Sequence, residues 1–431
     1  MAIFQKLKAL PILLLPMGAI FLGTVAIADI ENNKRETPLV IAHRGASGYR
    51  PEHTLAAYEL AIRQGADFIE PDLVATKDGV LIARHENELS GTTDVADRSE
   101  FAHLKTTKMI DGVETTGWFS EDFTLAEIKT LRAKERIPDI RPQNTSFDGQ
   151  FEIPTLEEII DLLQKEEKET GRKIGIYPET KHPTHFAKAG TLINGGSINT
   201  SLGKLLIDTL VKKNFTDSQR IFIQSFEFEN LIELQNKIMP DAGVDLPLVQ
   251  LYGDITDDFV QPSSNFSHPY DMIYNAEQGK DLRAIYGNLV DLVTITPTTG
   301  YKDLVNDDVI SYIASNYAEG IGPWKNSFLL RETIAEKVDC NGDGVAEVGT
   351  QLTGEVEPFL ETALKRGLEV HPYTLRAEER YLTLNTDGSC QNIITEVQQL
   401  LDLGVTGFFI DQPNFGRFGV KLYVRRNRRN R

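Results

Sequence analysis

Short apolar, β-branched runs recur along the chain, separated by stretches with helical spacing. The runs fall at residues 39–42, 67–73, 80–84, 174–177, 221–224, 248–251, 320–322, 368–370 and 407–410. Nearly continuous apolar strands alternating with helices indicate a parallel sheet covered on both faces. Leu55, Tyr58 and Ile62 follow Thr54 at helical spacing, and Gly65 closes that stretch, so a helix is expected there. The strand candidates exceed by one the number that a closed α/β barrel needs. Between residues 73 and 80 there is no room for a crossover helix, so these two strands must run antiparallel. Asp78-Gly79 supplies the matching two-residue hairpin signal. The other candidates can all be parallel. The expected fold is therefore α/β, a TIM-type (β/α)8 barrel with a β-hairpin appended to its second strand. A doubly wound open sheet is the alternative. Residues 86–150 contain no strong β period and read as an inserted lobe, and 325–356 as a second insertion.

The two ends differ from this body. Lys6 and Lys8 precede an apolar run over 9–27, and Ala26-Ile27-Ala28 offers small residues at the positions a signal peptidase needs. Residues 1–28 read as a cleaved secretory leader and 29–37 as a linker. An uncleaved anchor is the alternative, disfavoured by Pro11 and Pro16 within the run. The barrel is expected over 38–420 and a basic tail over 421–431. That tail has no apolar period, and a solvated, disordered segment is favoured over contact with anionic lipid or wall polymer. The expected localisation is exported, periplasmic or extracellular.

Among 431 residues there are 45 Lys+Arg and 63 Asp+Glu, a net charge of −18. Two of the cations belong to the leader and six to the tail, so the body alone reaches −26. Such a field excludes nucleic acid as the main partner, because phosphate backbones need cationic patches. A small anionic substrate would need a local cluster of cations. Cys340 and Cys390 are the two cysteines, and in an oxidising compartment a bridge is favoured over free thiols. It would close a loop of about 50 residues, worth roughly 4 kcal/mol on the chain-entropy view.

Catalytic residues of α/β barrels come from the C-terminal ends of strands. Here those ends carry His43-Arg44, Glu70-Pro71-Asp72, His85, Glu179-Thr180-Lys181, Gln224, Trp324, His371 and Asp411. With Asp78 and Gly79 as a two-residue loop, Asp72 would face His85 across the hairpin. Glu70 and Asp72, two apart, share one face of a strand. Three carboxylates in one pocket repel, and a divalent cation resolves the conflict. All-oxygen ligation by Glu70, Asp72 and Glu179 suits Ca²⁺ or Mg²⁺ over Zn²⁺. His43 and His85 suit general acid–base work, and Arg44 and Lys181 suit a phosphoryl group. Neither a nucleophile elbow nor a nucleotide-type phosphate loop is present. The combination describes phosphodiester cleavage better than acyl transfer.

The segments IAHRGASGYRPEHTLAAYELAIRQGADFIEPDLVATKDGVLIARHENEL, TTDVAD, IGIYPETK, IFIQSF, LVQLY, EGIGPW, HPYTLR and VTGFFIDQP resemble the glycerophosphodiester phosphodiesterases, in particular the periplasmic bacterial form. The resemblance implies a barrel, a Ca²⁺ ion (Mg²⁺ in some relatives), and hydrolysis of diesters such as glycerophosphocholine to glycerol 3-phosphate and an alcohol. It implies acid–base roles for His43 and His85, metal ligation by Glu70, Asp72 and Glu179, and phosphate contact by Arg44 and Lys181. It also suggests attack by a glycerol hydroxyl to give a cyclic phosphate that water opens. Two positions depart from the pattern. Glu86 follows His85 where Asp is commoner, and Trp324 stands where an acid is commoner. Trp324 could stack on a choline-like cation or simply pack the barrel rim. Teichoic-acid-like polymers and glycerophosphoinositol are alternative substrates. A sugar-phosphate isomerase would have less use for paired histidines beside Arg44. A binding protein without turnover would be expected to lack a ligand or a histidine.

The second insertion contains Asp339-Cys340-Asn341-Gly342-Asp343-Gly344, the opening of a calcium loop. Thr350 stands where the closing bidentate Glu belongs, so the full pattern is absent. Two readings remain: a one-turn calcium clip on Asp339, Asn341 and Asp343, or a plain turn.

Overall fold

A computed structural model describes residues 37–256 and 265–429. The leader at 1–28, and all of the linker but residue 37, lie outside the described residues.

The strands run β1 (Leu39–Ala42), β2 (Phe68–Ile69), β3 (Asp72–Ala75), β4 (Leu81–Ala83), β5 (Thr106–Ile110), β6 (Val113–Gly117), β7 (Gly175–Ile176), β8 (Glu179–Thr180), β9 (Ile223–Ser225), β10 (Leu248–Tyr252), β11 (Gly320–Pro323), β12 (Leu329–Val338), β13 (Val348–Val356), β14 (Glu369–Val370) and β15 (Gly407–Ile410). Pro71 and Pro178, which cannot donate to a ladder, split two barrel strands into β2/β3 and β7/β8. The parallel order is β15–β1–β2–β7 and β14–β11–β10–β9–β8–β3. Phe409 N donates to Pro372 O at 3.0 Å and Leu375 N to Phe409 O at 2.9 Å, which joins the β14 strand to β15 and closes the ring. Every expected barrel strand is present.

The appended hairpin differs by one residue from expectation. Leu73 pairs with Ala83 and Ala75 with Leu81. Thr76 N bonds Val80 O, so the loop holds three residues, Lys77-Asp78-Gly79, with Gly79 at φ +75. A three-residue loop closing on a left-handed Gly is the next commonest hairpin connection. Asp72 therefore faces Arg84, whose N donates to Asp72 O at 2.9 Å, and not His85.

The barrel is filled by Leu39, Ile41, Phe68, Tyr177, Phe222, Val249 and Phe409. Tyr177 packs on Phe222 and Phe409 at 5.1 and 4.9 Å. His371 is fully buried here with Nδ1 2.9 Å from the Tyr177 hydroxyl, so this strand-end histidine belongs to the core. Outside, the helix Leu55–Arg63 starts as expected, with the Thr54 side chain accepting from Ala57 N. It buries Tyr58 and Ile62.

Both insertions contain hairpins. β5 and β6 pair around Asp111-Gly112 within residues 86–150. β12 and β13 pair within the second insertion, and Cys340–Cys390 is a disulfide, with Cα atoms 5.6 Å apart, that ties this hairpin to the segment between β14 and β15. The basic tail is not disordered over its described length, because one helix runs Pro413–Arg429. Tyr423 and Val424 pack on the core, and Arg426 pairs with Asp402 and covers the Tyr423 ring. Cations in the last turn also suit the negative end of the helix dipole.

Candidate active site

β1, β2/β3 and β7/β8 deliver the key groups to one mouth. The turn after β1 puts Arg44 at φ +59 and Gly45 at φ +86. A Cβ on Gly45 would sit 2.8 Å from the Ala57 carbonyl carbon, so only glycine lets the turn lie against the helix there. This turn points Arg44 N at Glu70 Oε2, 2.9 Å away. Glu70, in the Pro71 break, takes a second bond from Gln224 Nε2 at 2.9 Å. Asp72 opens β3 and Glu179 opens β8, and the two residues pair directly in register.

Glu70, Asp72 and Glu179 are all buried, and one oxygen from each lies within 4.8 Å of the others. Burial and the neighbouring Asp72 hold the Glu70 carboxyl well above the usual range. Burial raises Glu179 to about 7, with Lys181 pulling down and Asp72 pushing up. Burial also pushes Asp72 up, but His53 and Arg44 outweigh it and hold it low. Asp72 Oδ2 is taken by His53 Nε2 at 2.9 Å and Arg44 Nε at 3.3 Å, while its Oδ1 is buried without a hydrogen-bond partner. Crowded acids with an orphan oxygen are what a divalent cation would satisfy, and the all-oxygen donor set fits Ca²⁺ or Mg²⁺.

Both proposed acid–base histidines line the same cavity of about 810 Å³. His43 Nδ1 lies 2.5 Å from Asp411 Oδ1, and its Nε2 lies 3.9 Å from Glu70 and 3.4 Å from the Thr374 hydroxyl. Burial and Arg44 lower its pKa to about 4, against the pull of Asp411. Asp411 is also gripped by Arg141 Nη2 at 2.5 Å and Arg376 Nε at 2.9 Å. His85 Nδ1 lies 2.6 Å from Glu86 Oε1 and its Nε2 3.4 Å from Lys181 Nζ. Burial, Arg44 and Lys181 lower it to about 3. Glu86 in turn reaches His182 Nε2 at 3.0 Å, and His182 Nδ1 meets Asp111 at the β5–β6 tip at 2.6 Å. Burial opposes charge on His182, but Asp111 and Glu86 raise it to about 10.

His85 thus reaches the site although Asp72 is not its cross-strand partner, because it follows β4 beyond the last paired residue. Lys181 sits 2.9 Å from Glu179. Trp324 is half-buried in the cavity wall, edge-on to Phe266 with ring centroids 5.4 Å apart. The Asp339–Asp343 loop stands apart from this cavity. Its Asp339 oxygens accept from Gly342 N and Gly344 N at 2.7 and 2.9 Å, and Asp343 Oδ1 from Val345 N at 2.8 Å.

Several site residues were not assigned from the sequence. His53, between Asp72 and the Tyr58 hydroxyl, is one. Its signal was its own place as the histidine of the PEHT run. Asp411 was visible at a strand end without a role. Arg376 closes the HPYTLR segment but had no role assigned. Arg141, from the inserted lobe, gave no sequence signal, because its partner Asp411 lies far along the chain.

A model of the glycerophosphoryl diester phosphodiesterase family matches residues 43–275, more than half of the chain. Glycerophosphodiester phosphodiesterase GDPD6 of Arabidopsis thaliana is 32% identical over 383 residues, covering 87% of this chain and 83% of that protein. A glycerophosphodiester phosphodiesterase of Haemophilus influenzae is 30% identical over 429 residues, covering 96% of this chain and 98% of its own. A crystal structure of a Silicibacter pomeroyi protein assigned to the glycerophosphoryl diester phosphodiesterases aligns with TM-score 0.51 at 17% identity, covering 90% of this chain and 94% of that one. That likeness concerns the fold, a TIM barrel. The chain belongs to the glycerophosphodiester phosphodiesterase family and is an enzyme of that class, a phosphoric diester hydrolase.

Proposed function

We propose that the protein hydrolyses small glycerophosphodiesters, such as glycerophosphocholine, to glycerol 3-phosphate and an alcohol. The observation that carries this reading is the convergence in one cavity of three buried carboxylates, two cations and two imidazoles. Glu70, Asp72 and Glu179 would hold a divalent cation, with Ca²⁺ preferred and Mg²⁺ second. Bound there, such an ion neutralises the carboxylates and polarises phosphoryl oxygens.

The chain's own groups do the rest. Arg44 and Lys181 orient the phosphoryl group through charge-assisted bonds. His43 and His85 each hold Nδ1 against a carboxylate, which steadies the ring and leaves Nε2 for proton transfer. One enters neutral and accepts the proton of the attacking hydroxyl. The other enters protonated and gives its Nε2 proton to the departing alkoxide, and the two roles reverse when water opens the cyclic phosphate. Attack by the neighbouring glycerol hydroxyl, giving a cyclic phosphate, is consistent with a base so placed. Trp324 lines the same cavity and would offer an aromatic face to a choline-like alcohol.

The protein is proposed to be exported. The leader-like sequence at 1–28 and the Cys340–Cys390 bridge both support an oxidising compartment.

The test is glycerol 3-phosphate release from glycerophosphocholine after EDTA treatment, and again with added Ca²⁺ or Mg²⁺. Turnover should vanish with EDTA and return best with Ca²⁺. No turnover with any divalent metal, by protein with His43 and His85 intact, would sink the reading.

A further inference from the structure

Most cations around the cavity already have a carboxylate. Arg44 pairs with Glu52, Lys181 with Glu179, Lys325 with Glu396 and Arg376 with Asp411. Arg331 differs. It is the third residue of β12 in the second insertion, lines the same cavity, and is only 9% exposed. Its Nε makes a long 3.4 Å bond to Leu329 O, and its Nη2 has no hydrogen-bond partner. Among the described residues no carboxylate lies within ion-pair distance of it. Glu396, the acid that most influences Arg331, is engaged by Lys325 at 2.5 Å. Burial lowers the Arg331 pKa to about 10.

A buried guanidinium without a counter-charge is costly, and an apolar residue of similar volume would avoid the cost. A ligand anion would offset it. Exposed Lys337 and Arg380 also line the cavity, so the local field favours an anion despite Glu347 nearby. Topology says which part of the substrate could carry that anion. The carboxylate cluster rises from β2/β3 and β8, whereas Arg331 follows β11, across the mouth of the ring. With the scissile phosphoryl group at Arg44 and Lys181, a group reaching Arg331 belongs to another part of the diester. Glycerol has no anion to offer.

Taking the proposed hydrolysis as given, we infer that Arg331 marks a subsite for an anionic group on the leaving alcohol, a carboxylate or a second phosphate. The preferred substrate is then a glycerophosphodiester whose alcohol is itself acidic.

Glycerophosphoserine and glycerophosphoethanolamine differ by one carboxylate and make the cleanest pair. Wild-type protein in Ca²⁺ should turn over the serine diester with kcat/KM higher by about tenfold or more, the worth of one charge-assisted hydrogen bond. Arg331→Gln should collapse that ratio toward one, and Arg331→Lys should restore part of it. A parallel pair, glycerophosphoinositol with and without a ring phosphate, distinguishes the two anion sources. A collapse confined to this second pair would assign the subsite to phosphate. Equal losses on charged and uncharged partners in both pairs, or ratios that Arg331→Gln leaves unchanged, would overturn the inference. Arg331→Met supplies a second readout. Removing an unpaired buried charge should leave Tm unchanged or raise it, whereas a structural arginine would lower it. If wild-type protein cleaves none of these diesters, the proposed hydrolysis itself has failed.

Discussion

Two oxygen-rich clusters in this chain look alike on paper and differ in the fold. Glu70, Asp72 and Glu179 are buried, face one another, and leave Asp72 Oδ1 without a donor. Asp339, Asn341 and Asp343 lie on an open loop. There Asp339 and Asp343 accept from the loop's own amides, and Asn341 Oδ1 accepts from Asp343 N at 2.8 Å. The first cluster is electrostatically unfinished and the second is already satisfied. Density of acids does not make a cation site. What matters is whether the carboxylate oxygens have anything nearer to bond.

Breaking the first cluster should have the largest effect. Asp72→Asn removes the oxygen that has no partner. Activity should fall by at least about 10⁴-fold, because the cation's polarising contribution is lost as a whole. In wild-type protein, Ca²⁺ at a hundredfold excess over Kd should stabilise by about 2.7 kcal/mol. Calorimetry of Asp72→Asn should show that increment gone, and an unchanged increment would place the cation elsewhere. His85→Ala separates proton transfer from cation binding. It should lose about 10²–10⁴-fold in kcat while calcium titration still reports a bound ion.

The first cluster was legible because a strand's period of two puts Glu70 and Asp72 on one face. The cross-strand argument for His85 rested on a two-residue turn, and Gly79 closes a three-residue one. His85 converged on the site all the same, since it lies past the pairing. Arg141 was invisible because its partner, Asp411, is distant in sequence from the lobe and is reached only in the folded chain, whereas Arg376 lay in a recognisable segment without an assigned role. The β5–β6 hairpin was missed because its Thr-rich strands show little apolar alternation, although Asp111-Gly112 is a good turn. The C-terminal helix was hidden by its own packing. Gly416 and Gly419 let it approach closely, and a Cβ on Gly419 would meet Val397 at 2.5 Å. A helix seated partly on glycines leaves only a short apolar stripe, Val420, Tyr423 and Val424, to read.

A third arrangement stands between the two clusters. Glu86 and Asp111 would also repel, but His182 lies between them as a built-in cation. Its pKa in the fold, about 10, is above its ordinary 6.5. A raised histidine contributes stability fully below 6.5 and loses it as pH rises through 10. His182→Gln should therefore lower Tm most near pH 6, with the gap from wild type closing toward pH 10. Glu86 is half exposed, so water screens part of the effect and a shift of a few degrees is expected. A gap that stays constant with pH would mean that His182 packs there without charge.

The smallest effect should come from the loop. Asp339→Ala with Asp343→Ala removes acceptors for amides that water can reach, and the Cys340–Cys390 bridge still holds the hairpin. Tm should drop slightly, by the equivalent of about 1 kcal/mol for lost local caps. The number of Ca²⁺ ions bound per chain should not change, because the oxygens removed were already spent on Gly342, Gly344 and Val345. If isothermal titration instead shows one ion fewer in the double variant, the loop must rearrange to turn those oxygens outward. Self-satisfaction in the metal-free fold would then be a resting state that a cation can displace, and the contrast between the two clusters would become one of affinity rather than kind.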